Sequence, residues 1–298
     1  LFSILTLGNL FLAGILASTI FTLLACIYLH KLILLDEHDK GNTTNKRLQY
    51  LLLFPTSVFL SAIYTESLYL FLSICCFYYA RKRKWLLTGF LGYLAGLTRS
   101  TGILLFIPIA FEYWIYIKES GNTNLVSFLK SRKFEPAYLM MMPLGLITFL
   151  SYSYFTVRNF SLPMNILQVF GRNKPNILNI PIVFYNNVSN FFSLPIHTYF
   201  ASKIDTGFSI LFLIMIIIMI KYKFRTSYII YALLVVLFPL SSGLTTSLTR
   251  YILISFPHFI LLGKIGNKNK YLHYFFLTVF SFICLIFSLR FTHWYWVG

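Results

Sequence analysis

Three charged residues stand in apolar surroundings where they could together bind a phosphate. Glu66 lies within "FPTSVFLSAIYTESLYLFLS" (54–73), Arg99 within "LTRSTG" and Arg250 within "SLTRYILISFP", in a chain with eight carboxylates in 298 residues. An ionisable group at membrane depth costs about 2.5 kcal/mol or more, so it is normally paired or functional. Arginine recognises phosphate through a planar, bidentate fork. One carboxylate and two guanidiniums would leave a net positive site.

Membrane helices are the elements that we expect to position these residues. Hydrophobic residues make up 58% of the chain and charged residues 11%, and the mean hydropathy is +0.74. Soluble domains have about one quarter of their residues charged. The apolar runs lack the period of two that a β-barrel requires. The sequence therefore predicts an all-α, polytopic transmembrane helical bundle.

About ten spans are predicted, with boundaries good to a few residues. They are roughly 5–29, 48–63, 67–80, 85–98, 102–117, 137–157, 206–220, 227–241, 250–263 and 271–290. Several are shorter than the ~20 residues that cross a bilayer, so we expect the turns between them to be buried in protein. We expect one transmembrane domain over 1–298, with a long outer loop at about 158–205. Within that loop, 183–200 could form an interfacial helix.

The basic residues indicate which ends of the spans face the cytoplasm. When the loops are sorted alternately, one set holds 18 of the 25 Lys and Arg residues, including "RKRK" at 81–84. This set is cytoplasmic by the positive-inside rule. Glu66, Arg99 and Arg250 then share the outer side, and we predict that they converge at one depth around an outer pocket. The alternative is that the two arginines snorkel to headgroups and Glu66 is solvated.

Other residues on the predicted outer side are weaker candidates for the site. Asp205 opens the seventh span, where the helix dipole is a better reason for an acidic residue than a role in the site. The C-terminal "FTHWYWVG" indicates an aromatic belt at the outer interface. Glu112 lies one turn from a basic loop and is expected at the membrane interface. The weaker candidates are His197, Lys203, Asp205, His293, Trp294 and Trp296.

Motifs of several other function classes are absent from the sequence. The four cysteines lie in apolar stretches without a CxxC or a Cys/His cluster, and the six histidines lack ligand spacing, so neither a disulfide framework nor a metal site is indicated. There is no Walker A motif and no Ser/His/Asp arrangement. The net charge of +17 suits cytoplasmic loops and anionic lipid better than nucleic acid. We expect no cofactor, no metal and no nucleic-acid partner.

The segments that contain Glu66, Arg99 and Arg250, together with the terminal "WYWVG", resemble the PIG-V-like mannosyltransferases. These are integral membrane glycosyltransferases of the GT-C class. The likeness runs in order from "GNLFLAG" through the Y-T-E and "LTRSTG" stretches to "SLTRYILISFP" and the terminal "WYWVG". Eukaryotic members add the second mannose of the glycosylphosphatidylinositol anchor. The family pattern matches here at Pro55, Tyr64, Glu66, Ser67, Arg99, Gly102, Arg250, Tyr251 and Pro257.

The resemblance implies a GT-C-like fold and an inverting transfer of mannose. The donor would be a polyprenyl- or dolichyl-phosphate-linked sugar, and the acceptor a lipid or glycan on the extracytoplasmic side. Tyr64, Glu66, Arg99, Arg250 and Tyr251 would bind substrate. The membrane would be the plasma membrane in a prokaryote and that of the endoplasmic reticulum in a eukaryote.

One part of the family pattern has no counterpart in this sequence. The family carries an acidic residue, regarded as catalytic, in a loop after its first helix. The chain starts at Leu1, without methionine, at the edge of an apolar helix. We therefore expect an N-terminally truncated chain whose catalytic carboxylate lies upstream of Leu1, and a fragment that is inactive alone.

Two other function classes fit the composition. Charges inside a helical bundle also mark transport routes, so a transporter or a flippase for lipid-linked sugars is the main alternative. Against it, the charges cluster at one face and no internal repeat is evident. A non-catalytic scaffold within a glycosylation complex is the third possibility.

Overall fold

Helices account for the regular structure of the described residues, as the apolar runs predict. The structure is a computed structural model that describes residues 2–36, 44–120, 134–158, 176, 178–193, 196–242, 247–295 and 297, and no strand occurs among them. In chain order the helices are α1 Phe2–Leu5, α2 Leu10–Asp36, α3 Thr44–Leu52, α4 Glu66–Arg81, α5 Trp85–Thr98, α6 Phe106–Glu119, α7 Phe134–Leu139, α8 Met141–Val157, α9 Asn179–Ser193, α10 Ile196–Lys221, α11 Thr226–Ser241, α12 Leu248–Leu253, α13 Phe256–Lys268 and α14 Lys270–Thr292. Short 3₁₀ helices occupy Ser57–Leu60 and Ser100–Leu105.

Among the described residues, five helical segments are long and apolar enough to cross a bilayer, and they support an integral membrane protein. They are Leu10–Asp36, Ser100–Glu119, Phe134–Thr156, Lys203–Lys221 and Lys270–Thr292. Two shorter apolar helices, α5 and α11, accompany them. The prediction of a helical membrane bundle is thus confirmed, whereas the count of about ten spans is not.

Three predicted segments differ from the observed elements. The span 48–63 is not one helix, because α3 ends at Leu52 and a 3₁₀ helix begins at Ser57, with Pro55 between them. A proline lacks the N–H that would continue the helix. The span 250–263 is likewise divided, since Ser255 separates α12 from α13 and a proline opens α13. The segment 158–205, predicted as a long outer loop, contains α9 and the first turns of α10.

The chain forms two compact units. The first comprises Leu1–Gly41, Leu60–Arg158 and Arg225–Tyr231, and the second comprises Asn42–Phe59, Asn159–Phe224 and Ala232–Gly298. The prediction of one transmembrane domain over 1–298 stays a prediction.

In the first unit α4 packs between α2 and α5, and α5 packs against α7 and α8. Glycines allow the close approach of α5 to its neighbours. A Cβ on Gly89 would lie 2.0 Å from the carbonyl oxygen of Tyr138, and a Cβ on Gly145 would lie 2.2 Å from that of Tyr93. Small residues at helix contacts are typical of membrane helix packing. This packing fixes the ends of α4 and α5, where two of the candidate site residues lie.

In the second unit α13 packs against α3 and α14, and α10 packs against α12. A cluster of phenylalanines forms the core. The ring of Phe54 lies 5.3 to 5.7 Å from those of Phe208, Phe212, Phe259 and Phe280, at angles near the edge-to-face geometry. Such pairs contribute about 0.5–1.5 kcal/mol each beyond the burial of their area. The cluster holds α10 and α14 against the segment that follows α3.

Candidate functional site

Glu66 and Arg99 form an ion pair at the ends of two adjacent helices in the first unit. Nη1 of Arg99 donates to Oε1 of Glu66 at 2.5 Å. The side chain of Glu66 has no exposed surface, and that of Arg99 is 13% exposed. A buried carboxylate keeps its charge only when a cation or several donors compensate for the lost water. The pair therefore holds one guanidinium in a fixed place at the surface end of a buried contact.

The local backbone explains why both groups point to the same place. Glu66 is the first residue of α4, where the helix dipole favours a negative charge. Arg99 follows α5 in an extended conformation, with its N–H bonded to the carbonyl of Ala95. Its own carbonyl accepts from the N–H of Gly102 at 2.8 Å. A Cβ on Gly102 would lie 2.3 Å from the carbonyl oxygen of Ala95, so this turn tolerates only glycine without shifting.

A tyrosine that the sequence analysis did not single out ties α4 to the arginine turn. The hydroxyl of Tyr69, three residues after Glu66, donates to the carbonyl of Thr101 at 3.3 Å. Tyr69 also shares a hydrogen bond with Tyr231, which in turn bonds to Ser73. The spacing of three residues on a helix places Tyr69 on the face of Glu66, and this was the signal in the sequence.

Arg250 lies in the second unit, on the short helix α12. Its guanidinium carbon is 4.5 Å from the centre of the Phe59 ring, which is a cation–π contact. Oδ2 of Asp205 accepts from the N–H of Ser247 at 2.9 Å, and Oδ1 accepts from the N–H and the hydroxyl of Thr249 at 2.9 and 2.5 Å. The carboxylate thus caps the helix that carries Arg250.

This contact corrects the interpretation of Asp205. The residue does not open its own helix, because α10 begins at Ile196. It is 1% exposed and caps α12 instead. Ser247, in the capped turn, adopts φ of 68°, a left-handed conformation that non-glycine residues rarely adopt. We attribute to Asp205 the stabilisation of this strained turn.

The other predicted site residues are placed as follows. Tyr64 is 42% exposed in the bend before α4. Tyr251 is half-buried beside Arg250, and Lys203 lines an apolar groove between α10 and α14. The ring nitrogen Nδ1 of His293 lies 2.8 Å from the carbonyl oxygen of Leu289, and Trp294 is 97% exposed. His197 belongs to α10, but its side chain lies outside the described ones, as does all of Trp296.

Glu66 and Arg99 are the predicted residues that the structure brings together within one unit. Arg250, Asp205, Tyr251 and Lys203 belong to the second unit. The convergence of Arg250 with the Glu66–Arg99 pair therefore stays a prediction.

A second buried carboxylate of the first unit serves a structural contact. Glu112, expected at the membrane interface, is 2% exposed and accepts from Nε and Nη2 of Arg225 at 2.5 and 2.8 Å. The hydroxyl of Ser227 also donates to it. Burial lowers the pKa of Arg225, and the hydrogen bonds and charge of Glu112 outweigh that effect, so the pKa is raised and the guanidinium stays charged. Glu112 is thus buried in the first unit, and its expected place at the membrane interface stays a prediction.

The two arginine sites have the chemistry of anion binding. A guanidinium fixed by a carboxylate or an aromatic ring presents donors in a planar fork, which fits a phosphate. Among the described residues, no group of three or more His, Cys, Asp or Glu side chains is placed to hold a metal ion. The expectation that the chemistry needs no metal stays a prediction.

Comparison with known proteins gives one match. A family model described as "Mannosyltransferase (PIG-V)" matches residues 1–166, which is more than half of the chain. The matched segment contains Glu66 and Arg99, and Arg250 lies beyond it. No curated protein and no solved structure gives a significant match.

Proposed function

The chain belongs to the mannosyltransferase (PIG-V) family, and on this premise we propose that it transfers mannose from a polyprenyl- or dolichyl-phosphate-linked donor to a lipid or glycan acceptor on the extracytoplasmic side. Membership and the apolar helices make it a membrane mannosyltransferase. The donor, the acceptor and the side of the membrane are parts of the proposal. The buried Glu66–Arg99 pair is the observation that supports the donor most directly.

The pair suits a donor whose leaving group is a phosphate at the membrane surface. When the bond between the anomeric carbon of mannose and the phosphate oxygen breaks, negative charge grows on the phosphate. A cation that is already in position stabilises this charge without reorganising, and such preorganised electrostatics is usually the largest catalytic contribution. Glu66 keeps Arg99 in position, and the partial exposure of Arg99 leaves it at the surface of the unit.

In the proposed reaction the acceptor hydroxyl attacks the anomeric carbon as the phosphate leaves. The acceptor oxygen forms the new glycosidic bond, the polyprenyl phosphate departs with the electron pair, and the configuration at the anomeric carbon is inverted. The hydroxyl proton passes to a carboxylate base. The leaving phosphate needs little protonation, so the paired carboxylates of glycosidases are not required.

Arg250 is proposed as a second substrate-binding cation. Its support is the local geometry of the second unit. Phe59 lies under the guanidinium, and Asp205 caps the helix that carries it. Tyr64 and Tyr251 are proposed to contact the sugar, since each adjoins one of the charged residues.

The proposal is tested with the full-length protein reconstituted in liposomes. We expect transfer from polyprenyl-phosphate mannose and none from a soluble nucleotide-linked mannose. Arg99→Lys keeps the charge but loses the bidentate fork, and we expect turnover to fall by about a hundredfold. Arg83→Lys, on an exposed arginine of the "RKRK" turn, is the matched control and should retain activity. Transfer from the nucleotide sugar, or normal turnover of Arg99→Lys, would contradict the proposal.

A further inference from the structure

An apolar groove of about 400 Å³ runs between α10 and α14 in the second unit. The lining residues of each helix recur at spacings of one, four, five and eight, so each helix contributes one continuous face. On α10 this face extends from Lys203 to Leu211, which corresponds to about 12 Å of helix. Lys203 is the one charged residue among those that line it.

The floor of the groove is made of packed aromatic rings. The rings of Phe208 and Phe280 lie 5.7 Å apart, and both pack edge to face against Phe54. Phe208 is 7% exposed and Phe280 is 1% exposed. A largely pre-formed apolar cleft with few polar groups is the usual form of a site for an apolar ligand.

One residue keeps the groove open. Gly207 lies on the lining face of α10, and a Cβ at this position would meet no atom within 4 Å. A glycine inside a helix destabilises that helix relative to alanine. No packing contact among the described residues requires this glycine, and a larger side chain would project into the space of the groove.

One wall of the groove leads to the helix that carries Arg250. Helix α14 continues for two turns beyond Ile283 of the groove to Phe291, whose ring lies 5.5 Å from that of Phe59. Phe59 in turn lies under the guanidinium of Arg250. The C-terminal end of α14, beyond the groove, therefore leads through Phe291 and Phe59 to a second cation, the guanidinium of Arg250.

We propose that this groove seats the isoprenoid chain of a polyprenyl phosphate, with the ammonium group of Lys203 contacting its phosphate. The identity of the ligand rests on the proposed function, and the position of the site rests on the groove itself. An apolar channel with a single cation at one end complements a hydrocarbon chain with an anionic head. Because lipid tails are as apolar as the groove, the fit of the chain to the groove and the contact of Lys203 with the phosphate supply the preference for this ligand.

The test is photolabelling of the full-length protein in nanodiscs with a diazirine-bearing polyprenyl phosphate that carries no sugar. We expect cross-links on α10 and α14 beside Phe280. Gly207→Phe fills the groove and should reduce this labelling by about tenfold, since each 1.4 kcal/mol of lost binding is a factor of ten. Ile214→Phe adds the same ring to an exposed position of α10 outside the groove and should leave labelling unchanged.

Lys203 is tested separately. A basic residue near the membrane surface contributes about 1 kcal/mol to binding of an anionic head, so Lys203→Gln should weaken labelling by about fivefold, with recovery in Lys203→Arg. An excess of phosphatidylglycerol should not compete. Competition by phosphatidylglycerol, or equal labelling of Gly207→Phe, would overturn the proposal in favour of ordinary membrane lipid. Groove labelling without mannosyl transfer would reject only the proposed function, and transfer with cross-links elsewhere would reject only the groove.

Discussion

The guanidinium of Arg99 lies 2.5 Å from the carboxylate of Glu66, a residue 33 positions earlier that has no exposed surface. Removal of either partner would break an ion pair whose carboxylate is fully buried, so a single substitution tests folding and chemistry at once. The two contributions can be separated, because a pair of apolar residues can replace a buried ion pair with little loss of stability.

Stability of the single and double variants is the first prediction. Glu66→Leu or Arg99→Leu alone should lower the free energy of unfolding by about 3–5 kcal/mol. Glu66→Leu/Arg99→Leu should recover most of that loss. Thermal unfolding in detergent, analysed as a double-mutant cycle, measures the coupling. Additive effects of the two substitutions would mean that the pair does not form.

Gly102 tests the turn that positions Arg99. In Gly102→Ala the new Cβ would lie 2.3 Å from the carbonyl oxygen of Ala95, so the turn has to shift. We expect a destabilisation of about 1–3 kcal/mol and a fall in mannosyl transfer, because the guanidinium moves with the turn. Ser100→Ala, at an exposed position of the same turn, is the control. Equal activity of both variants would show that the turn geometry is not needed.

Asp205 tests the helix that carries Arg250. Asp205→Ala removes three hydrogen bonds to Ser247 and Thr249, and we expect turnover to fall more than binding of the acceptor. Each buried group left without a partner costs about 1–3 kcal/mol. Asn269→Ala removes the cap of α14, where the side chain accepts from two backbone N–H groups, and should lower stability without altering turnover. Equal turnover losses in both variants would indicate a general effect of helix capping.

The variant Glu112→Gln tests whether a buried ion pair of the first unit affects stability without affecting mannosyl transfer. Glu112→Gln breaks a buried ion pair with Arg225 and should destabilise the protein by about 3–5 kcal/mol. Transfer per folded molecule should stay unchanged, measured after removal of aggregated protein by size-exclusion chromatography. A loss of transfer in the folded fraction would place Glu112 in the reaction.

Much of the fold could be predicted from the sequence, because apolar runs of helical length leave few alternatives in a membrane. The predicted spans 67–80 and 85–98 agree with α4 and α5 to within two residues. The divided segments near Pro55 and Pro257 carry their own signal, since proline interrupts backbone hydrogen bonding. Each segment was predicted as one continuous span because of its apolar composition, in spite of its proline.

The site was only partly predictable, because its contacts depend on tertiary structure. The pairing of Glu66 with Arg99 could be predicted, because both residues lie in turns on the same side of neighbouring helices. The capping of α12 by Asp205 does not, since it depends on the left-handed conformation of Ser247 and on the crossing of α10 and α12. Glu112 could have been assigned a partner on physical grounds, because a carboxylate inside an apolar helix needs one, but the sequence does not say which.

The most direct test of the central claim is the rate of mannosyl transfer from polyprenyl-phosphate mannose by Glu66→Leu/Arg99→Leu in the full-length protein. The account predicts a variant that folds and inserts like the unmodified protein but transfers at least about a hundredfold more slowly, because the cation that stabilises the leaving phosphate is gone. Transfer at the unmodified rate would show that the pair is structural and that the phosphate binds elsewhere.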